Sequence, residues 1–181
     1  MYPNVRAWQT LSSRYIIQGE YLTVRSDKVL LPNAEIIDDF YVIENPDWIN
    51  VIAVTLDHHF VMERQFRYGV KKIGLEICAG MIEKDESPIN AAKRELFEET
   101  GYGGGDWNLF LVSTPNPSSM NNYNYTFLAK GVKKIAKPNL DNTEFIDVEL
   151  LTKNELKEAL IRGDITEGIM QAALWKYFAS Y

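Results

Sequence analysis

The chain is poor in the residues that most often crosslink or metallate small domains. It has one cysteine, Cys78, and two histidines, the neighbours His58 and His59, among 181 residues. One cysteine excludes an internal disulfide and any site built from several thiolates. Two histidines are too few for a histidine-based zinc site unless carboxylates complete it. No run approaches the roughly 20 apolar residues of a membrane span, and the N-terminus lacks a signal-like apolar stretch, so we expect a cytoplasmic protein that makes no membrane contact.

Positive charge is also scarce. Lys and Arg number 19 against 25 for Asp and Glu, which gives a formal net charge of −6. Because nucleic-acid binding needs clustered positive charge, we expect no nucleic-acid partner. A small phosphate-bearing substrate remains compatible, since bound cations can reverse the local sign of the field. With 46% apolar residues, the chain can bury the core of one domain and still carry an appendage.

The chain is predicted to consist of an N-terminal β extension and a larger domain. The turn-forming residues Asn45, Pro46 and Asp47 predict a domain boundary. Residues 1–45 would form an antiparallel β extension, and residues 46–181 would form the main domain. Within the extension, Tyr21–Arg25 and Val29–Leu31 are typical of a hairpin with a polar turn at 26–28, and Phe40–Ile43 of a further strand. In the main domain, 51–56 and 60–66 are predicted to form a hairpin. Further strands are predicted at 75–77, 109–112, 123–128 and 145–150.

Three helices are predicted between and after these strands. Ser87 and Pro88 are typical of a helix start with a capping hydroxyl, and that helix is expected to run to Thr100 and to end at Gly101. The spacing at 152–155 predicts a capping box and a second helix that ends near residue 163, and a third begins at about Thr166. The order of elements favours an α+β fold with a mixed β-sheet covered by helices.

The first of these helices concentrates negative charge on one face. At 100° per residue, Glu95, Glu98 and Glu99 project from the same side. Like charges at this spacing repel, and the C-terminal half of a helix disfavours anions. A solvated acidic face is the plain alternative. A divalent cation such as Mg²⁺ or Mn²⁺ would relieve the repulsion directly, and we favour that explanation.

The same segment resembles the Nudix box, Gly-x5-Glu-x7-Arg-Glu-U-x-Glu-Glu-x-Gly-U, where U is apolar. The matching residues are Gly80, Glu86, Arg94, Glu95, Leu96, Glu98, Glu99 and Gly101. Tyr102 departs from the pattern, because an aliphatic residue is usual there. The resemblance implies a Nudix fold, with a mixed sheet sandwiched between helices, and hydrolysis of a nucleoside diphosphate linked to another group.

The resemblance also implies roles for the residues of the box. The main-chain carbonyl of Ala79 and the carboxylates of Glu95 and Glu99 would bind Mg²⁺, with Mn²⁺ as a substitute. Glu98 would be a further ligand or would orient water. Arg94 would hold the glutamates in place, with Glu86 as its partner, while Gly80 and Gly101 would be structural.

Residues outside the box are similar to the ADP-ribose pyrophosphatase and nucleoside diphosphate sugar hydrolase branch. The similar runs are 62–68 and 75–80, together with Pro117. This branch implies a homodimer formed through the N-terminal sheet and a catalytic base on a loop beyond the main sheet. Glu144 is the best match for that base, and Asp141 is the alternative.

Four residues are candidates for substrate binding. Arg67 is suited to a phosphate, Glu76 to the metal or a ribose, and Trp48 to stacking on the base. Arg64 is a weaker candidate, because it also suits a place flanking the strand. For each of the four, an ordinary structural role is the competing interpretation.

The expected activity is Mg²⁺-dependent hydrolysis of a nucleoside diphosphate sugar, ADP-ribose foremost, to a nucleoside monophosphate and a sugar phosphate. The alternatives are a Nudix hydrolase for a dinucleoside polyphosphate, a nucleoside triphosphate or a dinucleotide coenzyme, and a non-catalytic ADP-ribose sensor. The sequence leaves open the preferred base and sugar and the number of metal ions.

Overall fold

The structure, a computed structural model, describes residues 5–19 and 22–181. The described chain divides into two compact units. One comprises the described residues up to Asn45 together with Asn116–Asn122, and the other comprises Pro46–Pro115 and Tyr123–Tyr181.

The first unit is a three-stranded antiparallel sheet. Its strands are β1 (Gln9–Gln18), β2 (Thr23–Leu30) and β3 (Ile36–Glu44), in the order β1-β2-β3. The hairpin predicted over residues 21–31 is wrong, because β2 continues through 26–28 as one strand; Tyr21 of that prediction lies outside the described residues. The strand accommodates Ser26 and Asp27 because their side chains are hydrogen-bonded. Ser26 Oγ donates to Asp39 at 2.7 Å, and Asp27 accepts from Arg25 Nε at 2.8 Å.

The second unit is built on an eight-stranded mixed sheet. Its strands are β4 (Trp48–Thr55), β5 (Phe60–Arg67), β6 (Lys72–Glu76), β7 (Cys78–Met81), β8 (Tyr102–Gly103), β9 (Asp106–Ser113), β10 (Asn124–Lys134) and β11 (Ile146–Leu151). The central order is β11-β5-β4-β10-β8, and β6, β7 and β9 pair with β5, β4 and β10. β4 and β10 are parallel, whereas the other pairs are antiparallel. The predicted β4–β5 hairpin is confirmed, but of the strand predicted at 75–77 only Leu75 and Glu76 are in a strand, at the end of β6, and Ile77 separates β6 from β7.

Helices cover both faces of this sheet. Successive side chains of the central strand β4 point to opposite faces, and apolar residues on both faces need to be covered. Ile49, Val51 and Ala53 of β4 pack towards the first helix, α1 (Pro88–Glu95). Ile52 and Val54 pack on the opposite side in the same core as α2 (Lys153–Arg162) and α3 (Gly168–Ser180). The predicted arrangement of a mixed sheet sandwiched between helices is confirmed.

The helix boundaries follow the predicted signals with two exceptions. The capping box of α2 is formed between Thr152 and Glu155, and α2 ends at Gly163 in the left-handed conformation. Ser87 precedes Pro88 as predicted, but its side chain makes no capping hydrogen bond within the described structure. The α-helix ends at Glu95, and 96–100 continue as a π-helical segment (Leu96–Thr100). Among residues 5–19 and 22–181, no helix is long and apolar enough to cross a membrane.

Candidate active site

The π-helical segment gives the three glutamates different environments. A π turn closes hydrogen bonds five residues apart, so it rotates the side chains that follow away from the regular α-helical positions. Glu99 is only 5% exposed, whereas the side chain of Glu98 is 39% exposed and that of Glu95 13%. The predicted regular α-helix to Thr100 is therefore wrong over its last turn. Gly101 ends the segment at φ +71°, as its predicted capping role requires.

Arg94 connects the acidic residues of this region. Its guanidinium donates to both carboxylate oxygens of Glu86, with Nε at 3.1 Å and Nη2 at 2.9 Å. Nη1 lies 2.9 Å from Glu95 and 3.2 Å from Glu98, and Nη2 also donates to the Met81 carbonyl. The pKa of Glu86 is lowered by its hydrogen bonds to Arg94. Arg94 thus fixes the positions of carboxylates that would otherwise repel one another.

Gly80 and Ala79 bring β7 against these carboxylates. A Cβ atom at Gly80 would collide with the Glu95 carboxyl group, so only glycine lets strand and helix approach this closely here. Ala79 donates its main-chain N–H to Glu99. Ala79 is also paired with Asn50 of β4, which fixes its place in the sheet.

Glu99 lies in a buried group with Glu63 and Cys78. One potential ligand atom from each of the three residues lies within 4.8 Å of the others. Burial raises the pKa of Glu99 to about 8; the charges of Glu95 and Glu144 contribute, and a hydrogen bond from Cys78 opposes the rise. Burial and the neighbouring Glu99 likewise raise the pKa of Glu63 well above its ordinary value.

This buried group fits a divalent cation. Glu63 Oε1 and Glu99 Oε2 are buried, and the described residues offer neither of them a hydrogen-bond partner. Burying carboxylate oxygens without compensation is unfavourable, and a cation would compensate them. Carboxylate oxygens are the ligands that Mg²⁺ and Mn²⁺ prefer. Glu63 and Glu99 therefore suit a divalent cation, but of the metal ligands predicted from the sequence only Glu99 belongs to this buried group.

Glu144 lies close enough for its charge to act on the metal-binding candidates. Burial raises the pKa of Glu95, Arg94 opposes the rise, and the charges of Glu98 and Glu144 add to it. Glu144 also contributes to the raised pKa of Glu99. The loop is held locally, because Glu144 Oε2 accepts from the Asp141 main-chain N–H and the Glu144 N–H donates to the Asp141 carbonyl, both at 3.0 Å. The charge of Glu144 thus reaches Glu95 and Glu99, and its role as the base stays a prediction.

A cavity of about 470 Å³ adjoins the acidic group. Its lining includes Ala79 and Gly80, and these two residues of β7 contact Glu99 and Glu95. Its other walls are formed by Trp48, Ile49, Asn50, Arg67, Val70, Glu76, Met81, Asn124, Thr166, Glu167 and Ile169. The volume lies within the range of roughly 300–1,000 Å³ that is usual for small-molecule pockets.

Three of the four predicted substrate-binding residues line this cavity. Arg67 and Glu76 are paired there, with Arg67 Nη2 2.6 Å from Glu76 Oε2, and Trp48 forms part of the wall. Arg64 instead makes an ion pair with Glu149 at 2.9 Å. Its side chain is engaged at the junction of β5 and β11 rather than in the cavity lining.

Four residues near the site were not predicted from the sequence: Asn50, Glu63, Asn124 and Glu167. Asn50 directly precedes the strand predicted at 51–56, and Glu63 lies in the strand predicted at 60–66 beside the polar residues Arg64 and Gln65, so the sequence gives no signal that either residue is buried. Asn124 lies among other polar residues and carried no such signal. Glu167 precedes α3 and enters the cavity only through the tertiary fold.

Comparisons with known proteins agree with this fold and site. The NUDIX domain profile matches residues 47–169, and the profile of the nucleoside diphosphate sugar hydrolase N-terminal domain matches residues 8–43. The mixed sheet between helices and the carboxylates at the end of α1 define a Nudix-type hydrolase. The chain belongs to the Nudix family.

Similar proteins include curated enzymes and a solved structure. The methanol dehydrogenase activator of Bacillus methanolicus is 33% identical over 148 residues, which cover 81% of this chain and 80% of that protein. The ADP-ribose pyrophosphatase of Bacillus subtilis (strain 168) is 31% identical over 153 residues, which cover 84% and 80%. A crystal structure of an ADP compounds hydrolase shares the fold, with a TM-score of 0.85, 20% identity and coverage of 97% and 95%. The predicted resemblance to the ADP-ribose pyrophosphatase branch is confirmed.

Proposed function

We propose that the chain hydrolyses the pyrophosphate bond of a nucleoside diphosphate sugar, with ADP-ribose as the foremost substrate and Mg²⁺ as the cofactor. Mn²⁺ would substitute, and the products would be a nucleoside monophosphate and a sugar phosphate. The observation that carries this proposal is the buried Glu99, which has an unpaired oxygen in the described structure and contacts the main chain of Ala79, a residue that lines the 470 Å³ cavity. The relative named ADP-ribose pyrophosphatase supports the substrate class.

The Ala79 carbonyl, Glu95 and Glu99 would hold the cation, with Glu98 as a further ligand or as the group that orients water. A bound divalent ion in such a site neutralises diphosphate charge and lowers the pKa of water. Arg94 keeps the carboxylates in register through its bonds to Glu86, Glu95 and Glu98.

Glu144 is the proposed base, because its charge acts on the carboxyl groups of Glu95 and Glu99 and its side chain is hydrogen-bonded to the main chain of Asp141. It would accept a proton from the attacking water. Asp141 remains the alternative base. Either residue would act from outside the buried group, where a water molecule has access.

The cavity residues would position the substrate. The guanidinium of Arg67 is held by Glu76, so it is preoriented to bind a phosphate of the diphosphate. Trp48 supplies an aromatic wall against which a planar or sugar ring can pack. Because these groups are fixed before binding, the ligand pays less of the cost of ordering them.

We further propose that the protein is cytoplasmic and forms a homodimer through its N-terminal sheet. Every residue of β1 is exposed, and these include Leu11, Tyr15 and Ile17. An exposed apolar strand is suited to a partner surface. Light scattering should report a dimer that Tyr15→Lys weakens, and a monomeric wild-type protein would contradict this proposal.

The decisive experiment measures turnover of ADP-ribose with and without Mg²⁺. Nucleotide sugars, dinucleoside polyphosphates, nucleoside triphosphates and a dinucleotide coenzyme form the comparison panel, and isotopically labelled water shows which phosphorus is attacked. Glu99→Gln should lower kcat by several orders of magnitude with the fold intact. Glu158→Gln, an exposed site on α2, is the matched control and should behave as wild type. Absence of turnover across the panel, or full activity in Glu99→Gln, would disprove the proposal.

A further inference from the structure

Two asparagines on neighbouring strands line the sheet side of the cavity. Asn50 lies on β4 and Asn124 on the neighbouring parallel strand β10. The register pairs Asn50 with Thr126, so Asn124 lies two residues away on the same face. Both asparagines are 0% exposed, and both line the cavity.

The amide groups of these asparagines are incompletely paired. Asn50 has no hydrogen-bond partner for Oδ1 or Nδ2 among the residues that the structure describes. Asn124 donates from Nδ2 to Thr126 Oγ1 at 3.2 Å, but its Oδ1 is likewise unpaired within residues 5–19 and 22–181. Leaving such buried groups unpaired is unfavourable, whereas apolar residues would suit this surface well. A bound ligand that completes their hydrogen bonds accounts for both residues.

We propose that Asn50 and Asn124 determine specificity by binding the hydroxyl groups of the sugar attached to the diphosphate. This inference rests on the proposed function and specifies which part of the substrate occupies the cavity. The two residues would act in recognition, at a distance from the reacting phosphorus.

The unpaired groups of the cavity match the hydroxyl groups of a sugar. The unpaired groups are two acceptors, Asn50 Oδ1 and Asn124 Oδ1, and one donor, Asn50 Nδ2. Glu167 adds a partly buried carboxylate to the same lining, and its burial raises the pKa. Each hydroxyl of a sugar both donates and accepts, so a vicinal diol can satisfy neighbouring acceptors. Adenine can also pair with an asparagine amide, so the base is the competing occupant that the experiment below separates from the sugar.

The place of the cavity relative to the cation site is consistent with this assignment. Ala79 and Gly80 lie at the border between the cavity and the proposed cation site, and Arg67 lines the cavity, where it would bind a phosphate. A diphosphate bound at that border directs one of its two substituents into the cavity. The asparagines are therefore placed to contact a group next to the diphosphate and not the diphosphate itself.

The test compares ADP-ribose with the methyl ester of ADP, which keeps the base and the diphosphate but lacks the second sugar. Asn50→Leu and Asn124→Leu remove the amide groups, and Asn154→Leu makes the same change at an exposed position of α2. We expect kcat/KM for ADP-ribose to fall by about tenfold in each cavity variant, since a buried polar group loses its partner. The methyl ester should be hydrolysed equally by all four proteins.

The alternative outcomes are distinct. Equal losses for both substrates would assign the asparagines to the base, and no loss for either would remove them from recognition; both results overturn the inference but leave the proposed function standing. If the wild-type protein hydrolyses neither compound, the proposed function fails. Calorimetric titration with ribose 5-phosphate then decides the inference alone, because weaker binding to the double variant than to wild type supports it and equal binding overturns it.

The melting temperature of the Asn50→Leu variant distinguishes a role of Asn50 in ligand binding from a purely structural role. If the amides are kept for a ligand, Asn50→Leu should raise Tm of the ligand-free protein or leave it unchanged, while substrate discrimination falls. A lower Tm together with unchanged discrimination would identify Asn50 as a structural residue. Should leucine prevent folding, Asn50→Ala makes the same comparison with a smaller side chain.

Discussion

The raised pKa of Glu99 makes the stability of the metal-free protein depend on pH in a defined direction. Burial, aided by the neighbouring carboxylates Glu95 and Glu144, raises this pKa from 4.5 to about 8. Between these values the unfolded chain releases a proton that the folded protein retains. Stability from this group is therefore complete below about pH 4.5 and declines as the pH rises through about 8.

The size of the effect follows from the same two values. Each unit of pKa is worth about 1.4 kcal/mol, so the difference between 4.5 and about 8 corresponds to about 5 kcal/mol. The carboxyl is 5% exposed, so solvent screens it little. That amount is a large part of the roughly 5–15 kcal/mol that stabilises a typical domain.

The measurement is urea unfolding of wild type and Glu99→Gln in the presence of a chelator, from about pH 5 to about pH 8. Glutamine cannot titrate, so the difference between the two proteins isolates this carboxyl group. The wild-type free energy of unfolding should fall relative to that of the variant by about 1.4 kcal/mol per pH unit. With saturating Mg²⁺ the trend should disappear, because the cation holds the carboxylate deprotonated in the folded protein and the unfolded chain is also deprotonated above about pH 5.

A constant difference across this pH range would refute the reasoning, since it would mean that Glu99 is already ionised in the metal-free protein. Glu95→Gln refines the test. It removes a neighbouring carboxylate whose charge raises the pKa of Glu99, so it should shift the pH window of Glu99 downwards. Glu158→Gln on α2 is again the control and should leave the window in place.

Three further predictions concern the framework of the site. Gly80→Ala should reduce kcat strongly with little change in Tm, because its Cβ would displace the Glu95 carboxyl group; activity like that of wild type would contradict the close approach. Gly101→Ala should lower the free energy of unfolding by at least about 1 kcal/mol in urea, since φ is +71° and the Cβ meets the Ala136 carbonyl; an unchanged midpoint would refute this. Glu144→Gln should lower kcat while calorimetry shows unchanged Mn²⁺ affinity, and normal turnover would move the base to another residue.

The sequence was most informative where a short segment specifies its own structure. Gly101 and the Thr152–Glu155 capping box act through hydrogen bonds within a few residues, so their spacing alone predicts the helix ends. The box residue Arg94 was likewise predicted with its partner Glu86, although the two lie eight positions apart. The family resemblance, not local physics, supplied that pair.

The sequence was less informative where a residue's environment depends on distant strands. Ser26 and Asp27 have the composition of a turn, but Asp39 and Arg25 pair with them and keep β2 continuous. Arg64 and Arg67 occupy the same strand with similar sequence surroundings. Only the tertiary structure separates them, because one pairs with Glu149 and the other with Glu76 at the cavity.

The end of the first helix explains why a prediction from regular periodicity finds the right glutamates but the wrong geometry. A regular α-helix would leave Glu98 and Glu99 as near neighbours on a charged surface. The π-helical segment instead accompanies a buried Glu99, next to Ala79 and Cys78, and a Glu98 that remains accessible to Arg94 and solvent. Burying one carboxylate is costly without a cation, so this local irregularity opposes stability in the metal-free protein. It would favour a divalent ion for the same reason, and the irregular part of the helix is thus the part that the proposed chemistry requires.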